Sequence, residues 1–146
     1  MSVENKEIAE AVQRYMSTFS SGDFETFTQI EAHVAGFGFR TIGWRSRTRD
    51  FDVKAHAERL KKNRDNLEYY HAEMEELNTS AEDKIGLAWG FWVERFKVRG
   101  QPPEQAHVRF SFLFKKEANG WRMFMYHRDI QPFDKDGRYL TEFTKV

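Results

Sequence analysis

The sequence predicts an α+β fold, and three observations carry that prediction. Helical patterns are confined to the first 66 residues, apart from one glycine-rich stretch. Residues 69–130 read as consecutive strands separated by turn signals. Aromatic side chains number 23, against 19 Leu, Ile and Val together, so flat rings build the core. Helices segregated from antiparallel strands mean α+β rather than α/β. A sheet with helices on one face curves around them, and strong curvature gives a cone with an internal pocket.

The first helix runs from Glu4 to Phe19, with Ile8, Val12, Tyr15 and Phe19 at spacings that share one face. Glu4 and Glu7 suit the positive end of its dipole. Ser20-Ser21-Gly22 breaks it, and Asp23 is the N-cap of a second helix carrying Phe24, Phe27 and Ile30. Between His33 and Trp44, Gly36, Gly38 and Gly43 weaken any helix, while Phe37, Phe39 and Thr41 alternate as in a strand. Asp52 caps a third helix, with Val53, Ala57 and Leu60 on its buried side, ending near Asn66.

Strands are then expected at Tyr69 to Leu77, Lys84 to Val98, Ala106 to Lys116 and Trp121 to Ile130. Asn119-Gly120 signals the last hairpin. Residues from about 131 to 146 form a C-terminal tail of a single domain spanning 1–146.

Composition bounds the function. The 23 Lys and Arg balance 23 Asp and Glu, which argues against a general nucleic-acid binder. With no cysteine, disulfides, thiolate zinc sites and a Cys nucleophile are excluded. The longest apolar run, Ile85 to Val93, is far short of the roughly 20 residues of a spanning helix, and the polar first residues carry no apolar signal core. A soluble cytoplasmic protein with no membrane partner is therefore expected.

Particular residues point to a family. Tyr15 stands six residues before Ser21-Gly22-Asp23. Arg109-Phe-Ser111 is followed by a charged hairpin through Gly120-Trp121, then by His127-Arg-Asp129. Together with the element order, this resembles the SnoaL-like branch of the nuclear transport factor 2-like superfamily, and also the association domain of calcium/calmodulin-dependent kinase. Ser111 stands where that pattern usually has Thr, and Asp129 where it has Ser. The resemblance implies a cystatin-like α+β barrel, a strongly curved, mostly antiparallel sheet wrapped around three helices. Members include isomerases, cyclases, dehydratases and non-catalytic hubs, so fold does not set activity.

The final hairpin is the main candidate for chemistry. If its loop is Ala118-Asn119-Gly120, Ser111 pairs with His127 and Arg109 with Asp129, and these four share a face with Trp121 inside the cone. Phe110, Phe112, Phe114, Phe124 and Tyr126 crowd the other face. His127, a residue type that titrates near neutrality, is then a general acid/base. Asp129 is its partner or the base itself, Arg109 holds an anionic group or an enolate oxygen, and Ser111 fixes the His tautomer. The same residues also fit a plain cross-strand ion pair, with His127 satisfied in the core or at a subunit interface.

Further candidates line the expected pocket. Tyr15 faces inward, and in the resemblance that helix face lines the cone. Trp44, Trp89, Phe91 and Trp121 offer rings to a flat ligand, or are simply core or dimer face. Arg40 leads a run with Arg45, Arg47 and Arg49 that suits phosphate or carboxylate, or a solvated loop. His71, Glu73 and Glu75 alternate on one strand face as a metal set would, a pattern equally common on exposed sheets, and no metal is expected. Asp134 to Gly137 lacks the twelfth-position Glu of a calcium loop and reads as a turn. No glycine-rich phosphate loop or nucleophile elbow occurs, so no cofactor is expected.

The expected function is a cofactor-independent isomerase, cyclase or dehydratase acting on a small hydrophobic or aromatic molecule with an anionic group. The alternatives are a non-catalytic ligand-binding domain and an assembly domain. A homodimer is expected because helices cover one sheet face and aromatics on the other need a partner.

Overall fold

A computed structural model describes residues 2–34 and 53–140. Arg40, Trp44, the rest of the arginine run, the Asp52 cap and most of the expected early strand lie outside them.

Helix α1 spans Val3–Ser21 and starts on a cap that the sequence reading overlooked: Asn5 N donates to Ser2 Oγ at 3.1 Å. Its buried side is Ile8, Val12, Tyr15 and Thr18, while Phe19 packs half-buried against the same core. Gly22 ends it at φ 79°, a left-handed conformation that an L side chain resists, and Asp23 N donates back to Thr18 O at 2.8 Å. Asp23 then opens α2, Phe24–Val34, by accepting from Thr26 N at 3.2 Å, as expected. Helix α3 spans Val53–Asp65 and turns Leu60 to the core. No described helix is long and apolar enough to cross a membrane.

The sheet is an antiparallel meander in the order β1-β2-β3-β4, with β1 Leu67–Glu82, β2 Ile85–Val98, β3 Glu104–Glu117 and β4 Gly120–Pro132. The described strands form an open sheet, curved over the helices. Bulges at Leu67/Tyr69, Met74/Glu76 and Leu113/Phe114 bend it, since an extra residue on one strand adds twist. α1 packs on β1 and β2, and α2 on β4.

Strand β2 shows how closely the helices approach. Its inward residues are Gly86, Ala88, Gly90 and Trp92, and its outward ones are Ile85, Leu87, Trp89 and Phe91. A Cβ on Gly86 would stand 2.5 Å from Ile8 Cδ1 and 3.1 Å from the Trp121 ring, so the bare backbone makes room for the Ile8 side chain of α1. Ile85, Leu87, Trp89 and Phe91 are left on the outer face, 38–44% exposed.

Between helices and sheet the core is built of rings. Tyr15 stacks on Phe27 at 5.0 Å and meets Phe112 edge-on at 5.5 Å. Trp92 and Phe112 each lie 4.8 Å from Phe110. Such pairs add about 0.5–1.5 kcal/mol each beyond the area that they bury.

Candidate functional site

The expected pairing across β3 and β4 is present: Ser111 faces His127 and Arg109 faces Asp129. The route to it differs from the expected three-residue loop. Glu117 pairs with Gly120, so the loop is only Ala118-Asn119, and a bulge at Phe124 supplies the missing residue. Side chains alternate with period two, so the two one-residue differences cancel beyond the bulge but not before it.

Trp121 lies before the bulge, which corrects its expected placement on the same sheet face as Arg109. It is 9% exposed on the helix side and donates from Nε1 to Glu7 Oε2 at 3.0 Å. Phe124, expected to share a face with Phe110, Phe112 and Phe114, is the bulged residue and carries Lys115 Nζ 4.4 Å from its ring centre. Phe110, Phe112 and Phe114, expected on the face opposite the cone interior, are instead buried against the helices, with Tyr126 packed half-buried beside them.

A second correction concerns the polar residues. They lie not inside a cone but on the sheet face turned away from the helices. The side chains of Arg109, His127 and Asp129 are 67%, 68% and 46% exposed. Arg109 Nη2 donates to Asp129 Oδ2 at 2.6 Å, and His127 Nε2 lies 3.4 Å from Asp129 Oδ1. That hydrogen bond from Arg109 holds the Asp129 carboxyl below its ordinary pKa. Trp89 and Phe91 flank this group in register, Trp89 beside Ser111 and Phe91 beside Arg109. A hollow of about 550 Å³ opens nearby among Phe91, His107, Arg109, Asp129, Ile130 and Tyr139. Glu73 and Glu75, weighed above as metal ligands with His71, are engaged by Arg95 at 3.9 Å and His107 at 3.7 Å.

The helix side of the sheet holds a polar group that the sequence reading missed. Glu94 continues the inward row of Ala88, Gly90 and Trp92. Its Oε1 accepts from both Tyr70 OH and Trp92 Nε1, each at 3.0 Å. Burial pushes the Tyr70 hydroxyl far above its ordinary pKa, and the Glu94 charge and hydrogen bond push the same way, so it stays a neutral donor. Arg128 and Arg64 are near enough to oppose that rise, and Arg128 lies over Tyr126 at 5.6 Å. No described residue bonds Glu94 Oε2. A carboxylate in phase with a buried strand row was the legible signal for this site. Tyr15, expected to face inward, is 2% exposed in the core beneath the same sheet face.

Solved structures share this architecture. The chain is similar to a domain from Exiguobacterium sibiricum assigned as a Ca/calmodulin-dependent kinase II association domain, with TM-score 0.59 and 14% identity over 92% of this chain and 96% of that one. It is also similar to a Streptomyces avermitilis protein assigned as a dehydratase of the nuclear transport factor 2-like family, with TM-score 0.57 and 18% identity over 85% and 93%. A nuclear transport factor 2-like superfamily protein from Salmonella enterica matches with TM-score 0.58 and 16% identity over 90% and 92%. At such identities the likeness shows the fold alone. No curated protein matches the chain. The SnoaL-like domain family model matches residues 8–130, most of the length, and the chain belongs to that family.

Proposed function

We propose that this SnoaL-like domain binds a small hydrophobic or aromatic molecule on the helix side of its sheet, with Glu94 as the group that moves a proton. The supporting observation is the arrangement at Glu94: two donors fix one oxygen, Oε1, and no described residue bonds the other. A carboxylate beside a ring-lined core needs hydrogen-bond partners of this kind to offset its lost hydration. Held this way, Glu94 suits removal of a proton from carbon next to a carbonyl, the step shared by isomerases and dehydratases of this kind. Tyr70 and Trp92 position the base, and the Arg128 cation on the same face favours negative charge developing nearby.

A panel of small β,γ-unsaturated and β-hydroxy ketones tests the proposal through the absorbance of the conjugated enone formed. Wild-type protein is expected to turn over at least one of them. Glu94→Gln is expected to lose about 100-fold or more, while still binding an environment-sensitive naphthalene dye. Dye binding without turnover favours the non-catalytic binder. Neither binding nor turnover overturns the proposal.

A second reading concerns the outer face. Ile85, Leu87, Trp89, Phe91 and Met125 are all 38–45% exposed, an apolar surface suited to a second copy of the chain. We infer a homodimer through this face, with Arg109, Asp129 and His127 as its polar rim. The likeness to an association domain supports self-assembly.

A further inference from the structure

At the other end of the sheet, α1, α2 and the β3–β4 hairpin enclose a second hollow of about 340 Å³. Trp121, at its floor, lies beside Gly86, where an added Cβ would be 3.1 Å from its ring. Gly86 and Glu94 are eight residues apart on β2, about 26 Å at the usual rise per residue, so the hollow is separate from the Glu94 group.

Its floor is apolar and well packed: Phe114, Met123 and Trp121 are 1%, 3% and 9% exposed. Trp121 is a held platform, with Nε1 tied to Glu7 and Lys116 Nζ 5.4 Å from its ring centre. The charge of Glu7 is offset by that same Lys116, 3.9 Å away. The rim carries two guanidinium groups, Arg14 and Arg122. Arg122 is committed to Glu117 at 2.9 Å. Among the described residues, Arg14 has no ion pair and its side chain no hydrogen bond, although most cations on the sheet are paired. An aromatic floor beneath an uncommitted guanidinium selects a flat molecule with one negative end.

We propose that this hollow is a binding site for a small aromatic carboxylate, its ring on Trp121 and Met123 and its carboxylate on Arg14. The volume suits one or two rings and lies at the small end of the usual range for ligand sites, about 300–1,000 Å³.

Calorimetric titration of 1-naphthoate, and of uncharged 1-naphthamide as its isostere, tests the site. Saturable binding of the acid is expected, at least about tenfold weaker for the amide and for Arg14→Gln. Trp121→Leu should weaken both compounds, with a circular dichroism spectrum confirming its fold. Glu94→Gln should leave the titration unchanged, which separates this site from the proposed proton-transfer site. Equal binding of the amide, unaltered binding by Arg14→Gln, loss in Glu94→Gln, or no saturable binding to wild type would each overturn the proposal.

Discussion

Arg109 and Asp129 meet across β3 and β4 at 2.6 Å, on the face of the sheet that no described helix covers. Their hydrogen bond holds the Asp129 carboxyl below its ordinary pKa. A depressed carboxylate contributes stability that is present above its unfolded pKa of about 3.9 and is lost as pH falls through the folded value. Both side chains are largely exposed, so water and salt screen the pair. Arg109→Ala should cost only about 0.2–1 kcal/mol at neutral pH, and the difference should shrink on acidification. Urea unfolding of both proteins across the acid range measures it. A loss above about 3 kcal/mol would mean a buried pair.

Tyr70 predicts the opposite pH dependence. Burial first, then Glu94, raises its pKa above the ordinary value of about 10. A group whose folded pKa is raised contributes stability that is present below the unfolded value and is lost as pH rises through the folded one. Wild-type stability should therefore fall at alkaline pH, and Tyr70→Phe should flatten that fall. Denaturant midpoints between about pH 8 and 11 decide the matter; parallel curves would mean that Tyr70 is not coupled to folding.

The two sheet faces should respond differently to truncation. Phe112 is 1% exposed and in contact with Tyr15, so Phe112→Ala should cost about 3–5 kcal/mol. Phe91 is 38% exposed, and Phe91→Ala should cost the isolated monomer far less, about 1 kcal/mol or below. Chemical unfolding at dilutions that separate monomers compares them directly. Equal costs would place both residues in one core.

The outer face also predicts an assembly phenotype. Trp89→Asp puts a charge among exposed apolar residues without touching the ring core. Sedimentation velocity should show a wild-type dimer and a monomeric variant that still unfolds cooperatively. A wild-type monomer at all accessible concentrations would remove the homodimer reading.

Local chemistry made much of the fold legible. Asp23 can be read as a cap because its carboxylate needs only the backbone one turn on. The four strands and their order follow from turn signals and neighbouring pairing. The Arg109–Asp129 register was legible too, but by a cancellation: a loop one residue shorter than expected and a bulge at Phe124 that restores the phase. Trp121, on the near side of that bulge, shows what the pattern misses, because bulges depend on sheet curvature rather than on local sequence. Tyr70 and Glu94 are 24 positions apart and meet only through the β1–β2 register, so no spacing announces them.

The sequence by itself determined the α+β class, the Asp23 cap, the meander and a core made of rings, because each follows from local propensity and alternation. Only the tertiary structure decided which sheet face meets the helices. On β2, hydrophobicity alone would send Ile85, Leu87, Trp89 and Phe91 inward. Helix α1 instead packs against Gly86, while the β1 backbone at Glu76 crowds Gly90, so small residues stand in the inward row. The space left between helix and sheet set the direction, and it turned the hairpin's ionic group outward with the large apolar side chains.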